Sequence, residues 1–200
     1  MTHAHAVQER NTNSAMENKT NIICITGHPA SGKDVVADYF VSKGFHSISG
    51  GDILRSKMKE LGLPIDRDAV RIFVTEQRKV QGNQYPYNSS FAQKLSGQVV
   101  ISGIRNTAEY QVFKDEFGDA CMLIAVSASP EHRYARAQAR NRVGDHITFA
   151  DFVRQEDEER NNPAGTHQVD LLIAHADRVI QNDSSKEEFM SHIEELFGML

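Results

Sequence analysis

Short aliphatic runs alternate along the chain with longer segments in which apolar residues recur every three or four positions. A short aliphatic run is typical of a buried strand, and the longer period is typical of an amphipathic helix. The pattern predicts strands at 22–26, 45–49, 98–102, 121–127 and 178–181, and helices at 32–42, 52–60, 66–80, 106–117, 130–141, 148–160 and 184–197. Such alternation predicts an α/β fold of three layers, with a parallel five-stranded sheet between helices.

Residues 1–20 show neither the apolar pattern of a strand nor that of a helix, and they are rich in polar side chains. This composition predicts a flexible tail. Residues 21–200 are expected to form one domain around one core. The formal net charge of −5 argues against a nucleic-acid binder, which usually presents a strongly basic face. Small molecules are therefore the expected ligands, and the sequence leaves the oligomeric state open.

The two cysteines, Cys24 and Cys121, each lie inside an aliphatic run that reads as a buried strand. Their positions predict no disulfide framework and favour a reducing, cytoplasmic compartment. No run approaches the roughly 18 apolar residues that span a bilayer, and the N-terminus lacks the apolar core of a signal peptide. A soluble protein without a membrane partner is expected.

The stretch ITGHPASGKD, residues 25–34, follows a predicted strand and opens a predicted helix. Its glycines and lysine form the pattern G-x-x-x-x-G-K, in which backbone N–H groups and the lysine ammonium hold the phosphates of a nucleotide. The expected phosphate-binding residues are Gly27, Ala30, Ser31, Gly32, Lys33 and Asp34. An ordinary strand-to-helix turn with an exposed lysine is the alternative.

Asp34 stands where this motif usually has Ser or Thr, whose hydroxyl ligates Mg²⁺. A carboxylate is also a good ligand for a hard cation, so Asp34 is a candidate metal ligand. It is equally well explained as an acid in the first turn of a helix, where the helix dipole favours negative charge. His28, inside the loop, either contacts a phosphate or fills space.

The second predicted strand is followed by SISGGDILRSKMKELG, which resembles the S-T-G-D-hydrophobic-L-R segment of the nucleoside monophosphate kinase superfamily. The resemblance implies that Arg55 binds a phosphate of the acceptor and that Asp52 orients the acceptor or Mg²⁺. From the residues alone, Asp52 is also a good N-cap, and Arg55 can pair with Glu60 on the surface. Gly50 replaces the usual Thr.

The third strand ends VVISGIRNTAEY, which is similar to the D-G-x-R strand end of the same superfamily. The resemblance implies that Arg105 holds the acceptor phosphate. A pair with Glu109 at the helix start is the alternative. Ser102 replaces the Asp that usually faces the metal, so the resemblance is incomplete at this position.

Arginines recur in the segment that resembles the lid of P-loop kinases, about residues 140–160: Arg136, Arg140, Arg142, Arg154 and Arg160. Guanidinium forks suit phosphate oxygens, and Arg140 and Arg142 are the first candidates to stabilise the transferring phosphoryl group because they fall where the helix should break into the mobile lid. About half of the five are expected to form surface pairs with the acids of QEDEER.

The closing HADRVIQNDSS resembles the final strand and loop of dephospho-CoA kinases, and the resemblance extends over residues 21–200. In particular, the chain looks like a mainly archaeal P-loop group that is usually described as related to dephospho-CoA kinase. The acceptor region is expected at about residues 50–97, where Tyr85, Tyr87 and Asn88 either contact a base or form a solvated turn.

The resemblance implies a Mg²⁺-dependent kinase that transfers the γ-phosphoryl group of ATP to a small phosphate-bearing acceptor, a nucleotide or dephospho-CoA. Its expected catalytic residues are Lys33, Asp52, Arg105, Arg140 and Arg142, and its expected metal ligands are Asp34 and Asp52. Two alternatives remain open. One is a nucleotide-binding regulator, and the other is an ATPase that acts with a partner.

Overall fold

The computed structural model describes residues 20–140, 147–160 and 168–200. The strands are β1 (Asn21–Thr26), β2 (His46–Ser49), β3 (Gln98–Ile104), β4 (Cys121–Ser127) and β5 (Arg178–Gln181). The helices are α1 (Lys33–Ser42), α2 (Gly50–Glu60), α3 (Arg67–Gln81), α4 (Ser89–Ala92), α5 (Thr107–Phe117), α6 (Pro130–Arg140), α7 (Phe149–Arg160), α8 (Val169–Ala174) and α9 (Lys186–Gly198). Residues 1–19 of the expected tail, Arg142 and the rest of 141–146 lie outside the described residues.

The five strands form one sheet in the order β2-β3-β1-β4-β5, and every neighbouring pair is parallel. The central strands β1, β3 and β4 are buried over most of their length, whereas the edge strands have only four residues each. Strands buried on both faces read as continuous aliphatic runs, which is why the sequence revealed the central three most clearly. The predicted α/β fold is confirmed.

Side chains of β1 alternate between two cores, one on each face of the sheet. One core joins the sheet to α1 and α9 and includes Ile23, Ile25, Val36, Phe40 and Ile193. The other joins it to α5 and the segment around α4 and includes Ile22, Cys24, Tyr87, Ala92 and Phe113. This alternation produces the three layers, because successive residues of a strand point to opposite faces.

Two local features differ from the predicted elements. Helix α2 begins at Gly50, because the Ser49 hydroxyl accepts the backbone N–H of Asp52 at 3.3 Å and caps the helix. The expectation that Asp52 is the N-cap is therefore wrong. Helices α4 and α8 were not predicted, since segments of four and six residues are too short to show a helical period.

Both cysteines are buried free thiols on neighbouring strands, with their Sγ atoms 4.0 Å apart. Burial raises the pKa of the Cys24 thiol, so it stays protonated. Within the described ranges, no helix combines the length and the apolar character that crossing a membrane requires.

Candidate functional site

The loop between β1 and α1 has the backbone shape of a cradle. Gly27, Ala30 and Gly32 have φ values of 147°, 60° and 104°. Glycine adopts positive φ without strain, whereas Ala30 is held in the left-handed region against the preference of a residue with a Cβ. A Cβ on Gly32 would collide with the side-chain amide of Asn182. Position 32 therefore requires glycine to keep the loop close to the segment that follows β5.

Lys33 and Ser31 show how the loop is held together. The Lys33 ammonium donates a hydrogen bond to the carbonyl oxygen of His28 at 3.4 Å, so the lysine folds back over the loop. The Ser31 carbonyl accepts a bond from the Asn182 amide at 2.7 Å. Ser31 itself is 1% exposed, and its hydroxyl has no hydrogen-bond partner in the described structure. Buried hydroxyls are usually satisfied, so this one suits a bound polar ligand.

Two of the positions at which the sequence departs from the kinase patterns, Asp34 and Ser102, lie on different elements. Asp34 is exposed in the first turn of α1, directly after the loop lysine. Ser102 is 8% exposed near the end of β3, in register with Ile25 of β1. The described residues contain no group of three His, Cys, Asp or Glu side chains arranged to hold a metal ion.

Asp52 and Arg55 lie on the exposed side of α2 and pair with each other. The Arg55 guanidinium donates to the Asp52 carboxylate at 2.5 Å, and this bond lowers the pKa of Asp52. Glu60, expected as the surface partner of Arg55, instead pairs with Lys57 at 3.4 Å. Asp52 and Arg55 thus form one exposed ion pair at the start of α2.

An open groove of about 600 Å³ lies between α2, the C-terminal part of α3 and the turn that follows. It is lined by Asp52, Ile53, Ser56, Lys57, Glu60, Gln77, Gln81, Tyr85 and Pro86. Tyr85 belongs to this lining, but Tyr87 is 2% exposed and packs on Phe113. Tyr87 is therefore part of the core and does not line the groove. Asn88 caps α4 by accepting the backbone N–H of Phe91 at 2.8 Å.

Arg105 is exposed directly after β3, beside the phosphate loop. Thr26 and Ile104, the last residues of β1 and β3, are register partners, and the Thr26 hydroxyl donates to the Ile104 carbonyl at 2.8 Å. The Arg105 backbone N–H donates to Glu109 at 2.8 Å. Glu109 therefore accepts a hydrogen bond from the backbone of Arg105. The loop and the arginine leave neighbouring strands at the same edge of the sheet.

A buried polar network lies beneath Arg105. The Glu109 carboxylate accepts hydrogen bonds from the guanidinium of Arg78 on α3 and from the Asn106 amide. Arg78 also donates to the carbonyl oxygen of Tyr85 at 3.3 Å. Burial raises the pKa of Glu109 to about 7. The network fixes the start of α5 against α3 and the turn that lines the groove.

The arginines of α6 and α7 fall into different environments. Arg136 donates to the backbone carbonyl and the side chain of Asn182 at 2.8 and 3.0 Å. Arg140 is the exposed last residue of α6, and Arg142 lies outside the described residues. Arg154 pairs with two acids of its own helix, as expected for a surface arginine.

Arg160 is connected to the phosphate loop through Asp170 of α8. Its Nε donates to one Asp170 oxygen at 2.6 Å, and the other oxygen lies 2.9 Å from Nε2 of His28. The sequence reasoning missed Asp170, because no motif surrounds it and its contact with His28 spans 142 positions. Asn182 lies in the segment HADRVIQNDSS, which the sequence analysis singled out. Its hydrogen bond to the phosphate loop spans 151 positions and could not be predicted from the sequence either.

A family model described as AAA domain matches residues 23–162. A UPF0200 protein from Thermococcus gammatolerans is 31% identical over 181 residues, which cover 88% of this chain and 93% of the relative. A UPF0200 protein from Staphylothermus marinus is 31% identical over 172 residues, which cover 85% of this chain and 87% of the relative. The family-model match thus includes the loop of residues 27–34 and continues through α7.

Solved structures with the same fold include a shikimate kinase from Bacteroides thetaiotaomicron, with a TM-score of 0.60 and 13% identity over 90% of this chain and 97% of that one. TT1252 from Thermus thermophilus gives a TM-score of 0.57 and 19% identity over 91% of this chain and 98% of that one. At these identities the likeness concerns the fold alone. The chain therefore belongs to the AAA domain family and to the UPF0200 proteins, and its fold is that of the shikimate kinase.

Proposed function

We propose that this protein is an ATP-dependent kinase that transfers the γ-phosphoryl group to a small phosphate-bearing acceptor, a nucleoside monophosphate or a dephospho-CoA-like molecule. The observation that carries the proposal is the register of Thr26 with Ile104, after which the phosphate loop and Arg105 emerge side by side. In open parallel sheets, ligands usually bind at the carboxyl ends of the strands. The loop would bind the phosphates of the donor, and the exposed Arg105 beside it would bind the phosphate of the acceptor. Their closeness supports a site in which the two ligands touch.

On the donor side, the loop from Gly27 to Asp34 would hold the phosphates of ATP. Its backbone N–H groups, the positive end of α1 and the Lys33 ammonium all favour negative charge there. The buried, unpartnered hydroxyl of Ser31 supports a polar ligand in the cradle. Lys33 would leave its bond to the His28 carbonyl, which is long at 3.4 Å, for a phosphate oxygen.

The residues present fit a magnesium ion that arrives with ATP, because Mg²⁺ usually takes one or two carboxylates and completes its shell with phosphates and water. Asp34 would hold it, since its carboxylate is exposed beside the loop lysine. Asp52 is the second candidate and would have to release Arg55. The bound ion would neutralise charge on the transferring group.

On the acceptor side, Arg55 and Arg105 would bind the acceptor phosphate, with Asp52 orienting the acceptor. An acceptor oxygen would form a bond to the γ-phosphorus while the bond from that phosphorus to the bridging oxygen of ADP breaks. An ionised phosphate oxygen has no proton to lose, whereas a hydroxyl acceptor would pass its proton to the Asp52 carboxylate. Arg140 and Arg142 would stabilise the charge that develops on the phosphoryl oxygens. The chain contributes position and charge to this reaction and forms no covalent intermediate.

The test incubates the protein and labelled ATP with nucleoside monophosphates, nucleosides and dephospho-CoA in the presence of Mg²⁺. We expect one phosphorylated acceptor. Arg105→Ala should lower its formation by about 100-fold while ATP affinity changes only a few-fold, because Arg105 serves the acceptor. Lys33→Ala is the matched donor-side variant and should lose ATP binding itself.

Two results would redirect the assignment. ATP binding without any labelled acceptor, and without an effect of Arg105→Ala, would favour a nucleotide-binding regulator, for which Ser102 in place of the strand-end Asp is the supporting observation. Steady release of inorganic phosphate with no acceptor would favour an ATPase. A folded Lys33→Ala variant with normal ATP affinity would remove the phosphate-loop assignment itself.

A further inference from the structure

Asp170 uses its two carboxylate oxygens for two different elements. Oδ1 lies 2.9 Å from Nε2 of His28 in the phosphate loop, and Oδ2 accepts the Nε–H of Arg160 at 2.6 Å. His28 lies 142 positions from Asp170 along the chain, whereas Arg160 lies only 10 positions away. The carboxylate therefore bridges the phosphate loop and the C-terminal end of α7.

The segment that carries Asp170 is firmly attached to the end of β3. The Gln168 backbone N–H donates to the Arg105 carbonyl at 2.7 Å. The Gln168 side-chain oxygen accepts bonds from the Thr107 N–H and hydroxyl at 3.2 and 2.8 Å. Val169 and Leu172 are buried on either side of Asp170. Asp170 is thus held beside both the loop that would bind the donor and the arginine that would bind the acceptor.

Arg160 belongs to the docked face of α7. Phe152, Glu156 and Arg160 follow one another at intervals of four residues and share one side of the helix. Phe152 and Glu156 are buried, and Glu156 forms a two-bond ion pair with Arg133 of α6. Arg154, on a different side, pairs only with Asp151 and Glu158 among the described residues. Of the two arginines on α7, only Arg160 is tied to the phosphate loop in the described structure.

Asp170 is ionised at this bridge, and its partner Arg160 also contacts a second carboxylate. Burial alone would raise the pKa of Asp170, but the hydrogen bond from His28 and the charge of Arg160 outweigh it and lower that pKa. Arg160 contacts Asp157 and Asp170 through Nη1 and Nε and keeps 47% of its side chain exposed. A guanidinium has five N–H donors, so these two contacts leave donors that can face an anion.

We propose that Asp170 is a positioning residue that holds the Arg160 guanidinium over the phosphate loop, so that Arg160 contacts the γ-phosphoryl group of ATP. The inference deepens the proposed kinase function and rests on it. It adds Arg160, oriented by Asp170, to the arginines that act on the transferring group. Asp170 also orients His28, so the same carboxylate fixes the position of Arg160 relative to the phosphate loop.

The test compares affinities for ATP and ADP by calorimetry in Asp170→Asn and Arg160→Gln. Because Arg160 would contact only the third phosphate, ATP affinity should fall about ten-fold and ADP affinity should change less than about two-fold. At saturating ATP, kcat with the acceptor should fall about 10- to 100-fold. Asp170→Glu keeps the charge and should recover part of both losses.

The control is Asp151→Asn, which removes an aspartate–arginine pair from the exposed side of α7 and should change neither nucleotide affinity nor kcat. The Asp170→Asn/Arg160→Gln double variant should lose no more than Arg160→Gln alone, since the two residues act as a unit. An unchanged ratio of ATP to ADP affinity in either single variant would overturn the inference. The affinity ratio needs no acceptor, so a wild-type protein that phosphorylates nothing would refute the proposed function without hiding this result.

Discussion

At the scale of single residues, two positions exchange a hydroxyl and a carboxylate. The phosphate-loop pattern usually places Ser or Thr after its lysine, and here that residue is Asp34. The kinase pattern that the end of β3 resembles has Asp where this chain has Ser102. One carboxylate and one hydroxyl are therefore retained at the two positions, but the carboxylate stands on α1 and not on β3. The exchange leaves the local charge unchanged.

This exchange predicts the behaviour of a swapped variant. Asp34→Asn should raise the Mg²⁺ concentration for half-maximal transfer by about ten-fold, because the proposed metal site would lose the Asp34 carboxylate. Asp34→Ser combined with Ser102→Asp should restore most of the loss by returning the carboxylate to the strand end. A Mg²⁺ titration of the transfer rate measures both. Identical titrations for the wild type and Asp34→Asn would show that the carboxylate serves only the start of α1.

The residues of the site differ in how far the sequence could reveal them. Gly32 and Lys33 follow from a local motif, since the loop shape depends on residues that are adjacent in the chain. Asp170 and Asn182 act on the same loop through contacts that span 142 and 151 positions. Such contacts depend on how the sheet assembles, and one sequence does not contain that information.

At the scale of elements, α7 is fastened to α6 by a buried ion pair. The Arg133 guanidinium bonds both oxygens of Glu156, donates to the Ala128 carbonyl at 2.9 Å, and lies 5.6 Å from the ring centroid of Phe152. A buried pair stabilises little by itself, but the loss of one partner leaves a buried charge uncompensated. The pair therefore fixes where α7 docks.

Glu156→Gln should lower the free energy of unfolding by about 3 kcal/mol, because the Arg133 charge would remain buried without a counter-charge. Glu158→Gln is the matched control on the same helix, and loss of its exposed pair should cost less than about 0.5 kcal/mol. Urea unfolding followed by circular dichroism measures both. Equal stabilities for the two variants would mean that water reaches Arg133 and that α7 does not depend on this pair.

The sequence predicted some properties of the helices and strands and not others. The aliphatic runs of β1, β3 and β4 identified central strands because those strands are covered on both faces. The order of the strands was not predicted, since each run is equally suited to any central position. The start of α2 was misplaced because Ser49 and Asp52 are both good capping residues, and only the folded backbone determines which one caps the helix.

At the scale of the whole molecule, folding buries the titratable group of Glu109 next to the carboxyl ends of the strands, where the ligands would bind. Glu109 lies wholly inside, bonded to Arg78, Asn106 and the backbone of Arg105. Burial is the dominant influence and raises the pKa of the Glu109 carboxyl from 4.5 to about 7, against the opposing effect of Arg78. The global stability of the protein is therefore linked to the protonation of a residue beneath Arg105.

The sign of this linkage can be tested with Glu109→Gln. Between pH 4.5 and 7 the folded protein keeps a proton on Glu109 that the unfolded chain has released, so the contribution of Glu109 to stability declines as pH rises and levels off above pH 7. The wild-type free energy of unfolding minus that of Glu109→Gln should fall across this interval, by at most about 1.4 kcal/mol per pH unit. Urea unfolding of both proteins from pH 4.5 to 8 measures the difference, and Glu116→Gln controls for the loss of a carboxylate from α5. Carboxylates common to both proteins, such as Asp183, whose pKa is lowered by the bond from the Ser129 N–H, cancel in the subtraction. A difference that rises with pH would show instead that Arg78 keeps Glu109 ionised in the folded protein, and that the pair beneath Arg105 is a charged one.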